Sequence, residues 1–83
     1  MNKVLVKVYV PVIEEKYDIW IPLNRKIHNV VKLLIKAIYD LSGGYYRPYE
    51  IPELYNKITA IPYDMNKNVK ESNIKNGTEL VLL

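Results

Sequence analysis

Lys26-Ile27-His28-Asn29-Val30-Val31-Lys32-Leu33-Leu34-Ile35-Lys36-Ala37-Ile38-Tyr39-Asp40-Leu41 is the stretch on which the fold turns. Ile27, Val30, Val31, Leu34, Ile35, Ile38 and Leu41 recur at the three-and-four spacing that lines one stripe of a helix. His28, Asn29, Lys32, Lys36 and Asp40 fall on the opposite side, where Leu33 is a lone exposed apolar residue that needs no special role. The spacing predicts a helix over Lys26–Leu41, with Asn24 as its N-cap and Pro22 closing the strand before it. Gly43-Gly44 ends it, because glycine enters the left-handed region without a Cβ penalty. A helix with one apolar face is marginal alone in water, so the rest of the chain must supply its cover.

That cover reads as strands. Lys3–Val10 alternates strictly, with Val4, Val6, Val8 and Val10 on one side and Lys3, Leu5, Lys7 and Tyr9 on the other. Pro11–Glu15 turns the chain, and Lys16–Ile21 alternates again, Tyr17, Ile19 and Ile21 against Asp18 and Trp20. Past the helix, Leu54–Asn56 is a short strand and Ile61–Tyr63 an edge strand at best, because Pro62 cannot donate to a ladder. Val69 and Ile74 are placed to plug the open end of the core, Asn76-Gly77 is a turn, and Thr78–Leu83 is the last strand. The loop Tyr45-Tyr46-Arg47-Pro48-Tyr49 is rich in aromatics, which are expected to cover one end of the helix; a binding loop is the other reading. Hairpin, helix, short strands and final strand make an α+β chain in which one helix packs on one sheet, the β-grasp arrangement.

Composition bounds what such a fold can do. With 83 residues the chain is expected to be one domain over 1–83, and its 49% apolar content suffices for one core. There is no cysteine, hence no disulfide, thiolate metal site or thiol nucleophile, which fits a reducing compartment. The net charge of +3 is carried by scattered lysines and reads as a solvated surface rather than a nucleic-acid footprint. After Met1-Asn2-Lys3 the apolar run is broken by Lys7 and stops at Pro11, too short for a signal peptide. No apolar run approaches the roughly 20 residues of a bilayer span, so the chain reads as soluble and intracellular, with no direct membrane insertion.

Two stretches carry a family resemblance. Tyr17-Asp18-Ile19-Trp20-Ile21-Pro22 running into Ile27–Leu34, and Val69-Lys70-Glu71-Ser72-Asn73-Ile74-Lys75-Asn76-Gly77-Thr78-Glu79-Leu80, resemble ubiquitin-like proteins. The chain looks most like the small YukD/EsaB family that accompanies bacterial type VII secretion systems. The resemblance implies a ubiquitin-like β-grasp with sheet order 2-1-5-3-4, its first and last strands parallel at the centre. It also implies a cytoplasmic accessory or regulatory factor of the secretion machine. The tyrosine-rich loop has no counterpart in the family pattern.

The residues for catalysis are missing. His28, the single histidine, lies on the polar side of the helix; Glu14 and Glu15 belong to a turn; and Gly43-Gly44 lacks a phosphate-loop context. No cofactor and no metal are expected. Ubiquitin-like modifiers and sulfur carriers react through a Gly-Gly tail, whereas this sequence stops at Leu83 inside a strand, so conjugation is not expected. YukD-like proteins similarly end without the tail.

What remains is binding. With the helix on one face of the sheet, Leu5, Tyr9, Trp20, Tyr55, Val81 and Leu83 stand on the other, interleaved with Lys3, Lys7, Asp18 and Glu79. Aromatic and apolar side chains ringed by charge make interface anchors, although aromatics also favour strands for their own sake. These six are the candidate protein-interaction residues. The expected partner is a protein, a membrane-anchored secretion component or a second copy, and not nucleic acid. The alternatives are an adaptor of another bacterial complex, a modifier or sulfur carrier, and a nucleic-acid binder.

Overall fold

The computed structural model describes residues 2–83, and its sheet is built outward from the N-terminal hairpin. Strands β1 (Lys3–Val10) and β2 (Glu15–Pro22) pair antiparallel, with Val4 opposite Ile21, Val6 opposite Ile19 and Val8 opposite Tyr17. The link is a 3-10 turn at Pro11–Ile13, closed by the Glu14 N–H donating to the Pro11 carbonyl at 3.0 Å. Helix α1 (Ile27–Leu41) follows, then β3 (Leu54–Asn56), a second 3-10 turn at Val69–Glu71, and β4 (Glu79–Leu82). The sheet order is β2-β1-β4-β3, with β1 and β4 parallel at its centre and the outer pairs antiparallel. This is the expected β-grasp, with one strand fewer.

The missing strand is Ile61–Tyr63, which makes a single bridge, Pro62 with Tyr55. The two bonds of this bridge flank Pro62: the Asn56 N–H donates to Ile61 O at 3.1 Å and the Tyr63 N–H to Leu54 O at 2.9 Å. The nitrogen of Pro62 thus faces away from β3, where it offers no donor to a further strand. The edge that would invite another strand is thereby closed on this side.

The core is the helix stripe against the inner face of the sheet. Ile27, Val30, Val31, Leu34 and Ile38 are buried, and they meet Val4, Val6, Val8, Val10, Ile21, Leu54, Leu80 and Leu82. Val69 and Ile74 close the end, as their positions predict. Ile35 is half-buried and Leu41 exposed.

The helix start corrects one expectation. The N-cap is Lys26, not Asn24, and no side chain caps it. The N–H of Ile27 donates to Lys67 O at 2.8 Å and that of His28 to Met65 O at 3.0 Å. Carbonyls from the chain before β4 thus satisfy donors that the local sequence leaves free. At the other end Gly43 and Gly44 take φ of 69° and 86°, and the Gly44 N–H donates to Tyr39 O at 2.8 Å.

Candidate protein-interaction surface

The face of the sheet turned away from α1 follows from strand register. On β1, odd-numbered residues point outward, and each meets a neighbour at the same level on the adjacent strands. Leu5 stands opposite Trp20. Its own N–H and C=O are taken by Asn76 Oδ1 at 2.8 Å and the Gly77 N–H at 2.9 Å. Leu5 and Trp20 therefore form a non-hydrogen-bonded pair, the kind in which side chains approach closest.

The next level is charged throughout. Lys7 lies opposite Asp18 on one side and Glu79 on the other. Lys57, whose N–H donates to Glu79 O, extends the row beyond β3. Lys7 Nζ is 3.7 Å from Asp18 and Lys57 Nζ is 3.7 Å from Glu79. Asp18, Lys7, Glu79 and Lys57 alternate in sign across four chain segments. Each exposed pair is worth no more than about 1 kcal/mol, so the row's main effect is to keep this band of the face wet.

One level further, Tyr9 stands beside Val81, and Val81 beside Tyr55. These three are half-buried. The six residues singled out from the sequence thus all lie off the core, yet they form two groups. Leu5 and Trp20 lie on one side of the charged row, with Trp20 54% exposed. Tyr9, Val81 and Tyr55 lie on the other. Leu83 pairs with Glu53 through two backbone hydrogen bonds, of 2.9 and 3.4 Å, and sits at the end of the sheet.

The tyrosine-rich loop divides differently from the expectation. Only Tyr46 covers the core, at 3% exposure, with its N–H donating to Ser42 Oγ at 3.0 Å. Burial removes water from its phenol and raises the Tyr46 pKa above the usual tyrosine value. Tyr45 and Tyr49 project into solvent. With Val12, Ile51 and Leu83 they line a crevice at the end of the molecule, which joins the loop that the sequence offers as an alternative binding site to one residue of the sheet-face set, Leu83. The signal was present in Tyr45-Tyr46, since neighbours in an extended chain cannot both face inward.

Among the described residues, no group of three or more His, Cys, Asp or Glu side chains gathers to hold a metal. No helix among them is long and apolar enough to cross a membrane.

The architecture is that of ubiquitin-like domains. Over its whole length the chain superposes on a chain of the MycP5-free ESX-5 inner membrane complex, with a TM-score of 0.80 and 17% identity, and spans 21% of that chain. It superposes as fully on the ubiquitin-like domain of the type VII secretion protein ECCD1 of Mycobacterium tuberculosis, with a TM-score of 0.78 and 11% identity over 99% of that domain. A ubiquitin-like domain from Arabidopsis thaliana matches with a TM-score of 0.67 and 19% identity over 78% of its chain. At these identities the likeness is one of fold. No protein-family model matches the chain, and no curated protein matches it.

Proposed function

We propose that this chain is a non-catalytic ubiquitin-like module that binds a protein partner through the outer face of its sheet. Its setting would be the cytoplasmic side of a type VII secretion system, where it would act as an accessory or regulatory factor. The observation that carries the binding reading is the Leu5–Trp20 pair. Trp20 is 54% exposed on a strand whose inner residues already complete the core, so its ring is not needed there. Trp is a frequent energetic anchor of protein interfaces.

The secretion setting draws support from two directions. The Tyr17–Pro22 and Val69–Leu80 stretches resemble the YukD/EsaB pattern. The fold is similar to a chain of an ESX-5 inner membrane complex and to the ubiquitin-like domain of a type VII secretion protein. Co-purification from native cells, with the wild-type chain and a Trp20→Ala variant as baits, tests both parts. A secretion-machine component retained by the first and lost by the second supports the reading. Retention of only unrelated proteins favours an adaptor of another complex.

A further inference from the structure

The end of the molecule formed by the Pro11–Ile13 turn, residues 43–53 and the end of β4 has no role in that reading. Yet six large apolar side chains are exposed there: Val12, Leu41, Tyr45, Tyr49, Ile51 and Leu83. A crevice runs between the turn and the loop, lined by Val12, Ile13, Tyr45, Tyr49, Pro52 and Leu83. A second depression, with Glu15, Tyr17 and Leu41 in its wall, adjoins it through Ile13 and Tyr45. The loop is held in place from beneath. Arg47 donates through Nε to Gly44 O at 2.9 Å and lies over the Tyr39 ring at 5.5 Å, while Tyr46 anchors in the core.

Charge at this end opposes the charge of the whole. The chain carries +3, but Glu50 lines the crevice, Glu53 pairs with Leu83 beside it, and Glu14 and Glu15 follow the turn. Arg47 is the one basic residue among the lining groups, and it is engaged with Gly44 and Tyr39. Lys3, Arg25, Lys26, Lys67 and Lys70 gather at the opposite end, where backbone hydrogen bonds tie Arg25 to Val69, Leu23 to Lys70 and Ile27 to Lys67. The molecule is polar from end to end, and its exposed apolar crevice lies at the acidic end.

We infer that this crevice docks a basic, amphipathic protein segment, its apolar side chains lying against Val12, Tyr45, Tyr49 and Leu83 and its lysines or arginines facing the glutamates. The acidic rim disfavours lipid headgroups and nucleic-acid phosphates alike. A second copy offers Trp20 and Leu33 beside Lys3 and Arg25 at the basic end, and self-association is therefore one outcome of the test. The surface is separate from the Leu5–Trp20 pair, so the two readings stand or fall independently.

The test is an NMR titration of the intact chain with a synthetic leucine–lysine amphipathic peptide, its leucine–glutamate counterpart and anionic phosphatidylglycerol vesicles. The leucine–lysine peptide should shift the amides of Val12, Tyr45, Tyr49, Ile51 and Leu83, with affinity falling as salt rises. Glu50→Lys with Glu53→Lys should weaken it about tenfold at low salt, a loss of about 1.4 kcal/mol. Tyr45→Ser with Tyr49→Ser should weaken it as well, while Trp20→Ala should leave it unchanged. All five positions are exposed, so the variants should fold. The inference is overturned if the shifts centre on Trp20 or Tyr9, if the leucine–glutamate peptide or the vesicles bind as tightly, or if the charge reversal has no effect. Self-association that buries the crevice without peptide also overturns it.

Discussion

The Ile27 N–H donates to the carbonyl oxygen of Lys67 at 2.8 Å, so the first turn of α1 is capped by the chain that leads into β4. The two segments brace each other. Lys26 and Asn68 form a bridge, the Val69 N–H donates to Arg25 O at 2.9 Å, and the Lys70 N–H donates to Leu23 O at 2.9 Å. The helix that buries Ile27, Val30, Val31, Leu34 and Ile38 thereby depends on a loop with few apolar residues of its own.

That dependence predicts which side chain matters. At the 3-10 turn Val69–Glu71 the Asn68 N–H donates to Glu71 Oε1 at 3.0 Å, so the capping side chain belongs to Glu71. Glu71→Ala should cost about 1 kcal/mol, the usual loss for a removed cap. Asn24→Ala, at the position the sequence marks as the cap, should change stability by less than about 0.5 kcal/mol, as an exposed substitution does. Urea denaturation of both variants decides; equal losses would remove the loop from the account of the helix start.

Leu34 is 1% exposed at the middle of the helix stripe. Leu34→Ala should lower stability by roughly 2–5 kcal/mol, through lost transfer energy and the cavity left behind. For a domain this small that is a large share of the total. An unchanged thermal melt would contradict the packing of α1 on the sheet.

Local periodicity made the hairpin and the helix legible. Val4, Val6, Val8 and Val10 alternate, and pairing with Ile21, Ile19 and Tyr17 follows once the valines face the core. What the periodicity could not show were relations between distant segments. Asn24 looks like a cap because capping is normally local, whereas the capping carbonyls come from Met65 and Lys67. Alternation placed Leu5, Tyr9, Trp20, Tyr55 and Val81 on the outer face, and they are there. Their division into two groups depends on Lys7 meeting Glu79, a parallel register that no local pattern encodes. The apolar end of the molecule was hidden for the same reason, since Val12, Tyr49 and Leu83 come together only through the fold.

Tyr46 gives a pH dependence. Burial raises its pKa above the ordinary tyrosine value, so the folded state holds the phenol proton more tightly than the unfolded chain does. The stability it contributes is fully present below the unfolded value and is lost as pH rises through the folded one. Tyr46→Phe should therefore show a shallower loss of stability above about pH 10 than the wild type, because a phenyl ring has no proton to lose. Denaturation midpoints of both proteins at neutral and alkaline pH make the comparison. Parallel declines would mean that Tyr46 ionises without strain.

Trp20 separates the binding reading from the bland one. Its ring lies on the outer face, so Trp20→Ala should cost no more than about 1 kcal/mol of stability, the scale of one cross-strand pair with Leu5. If the outer face holds the partner, the same change should weaken capture by about thirtyfold, since truncating a Trp anchor typically removes about 2 kcal/mol of binding. Unfolding of the variant would make Trp20 a core residue despite its exposure. Unchanged stability together with unchanged capture would leave the outer face as a tolerated aromatic surface. Partner binding would then rest on the acidic end, where Tyr45 and Tyr49 stand free of the core and the glutamates set the charge a partner must match.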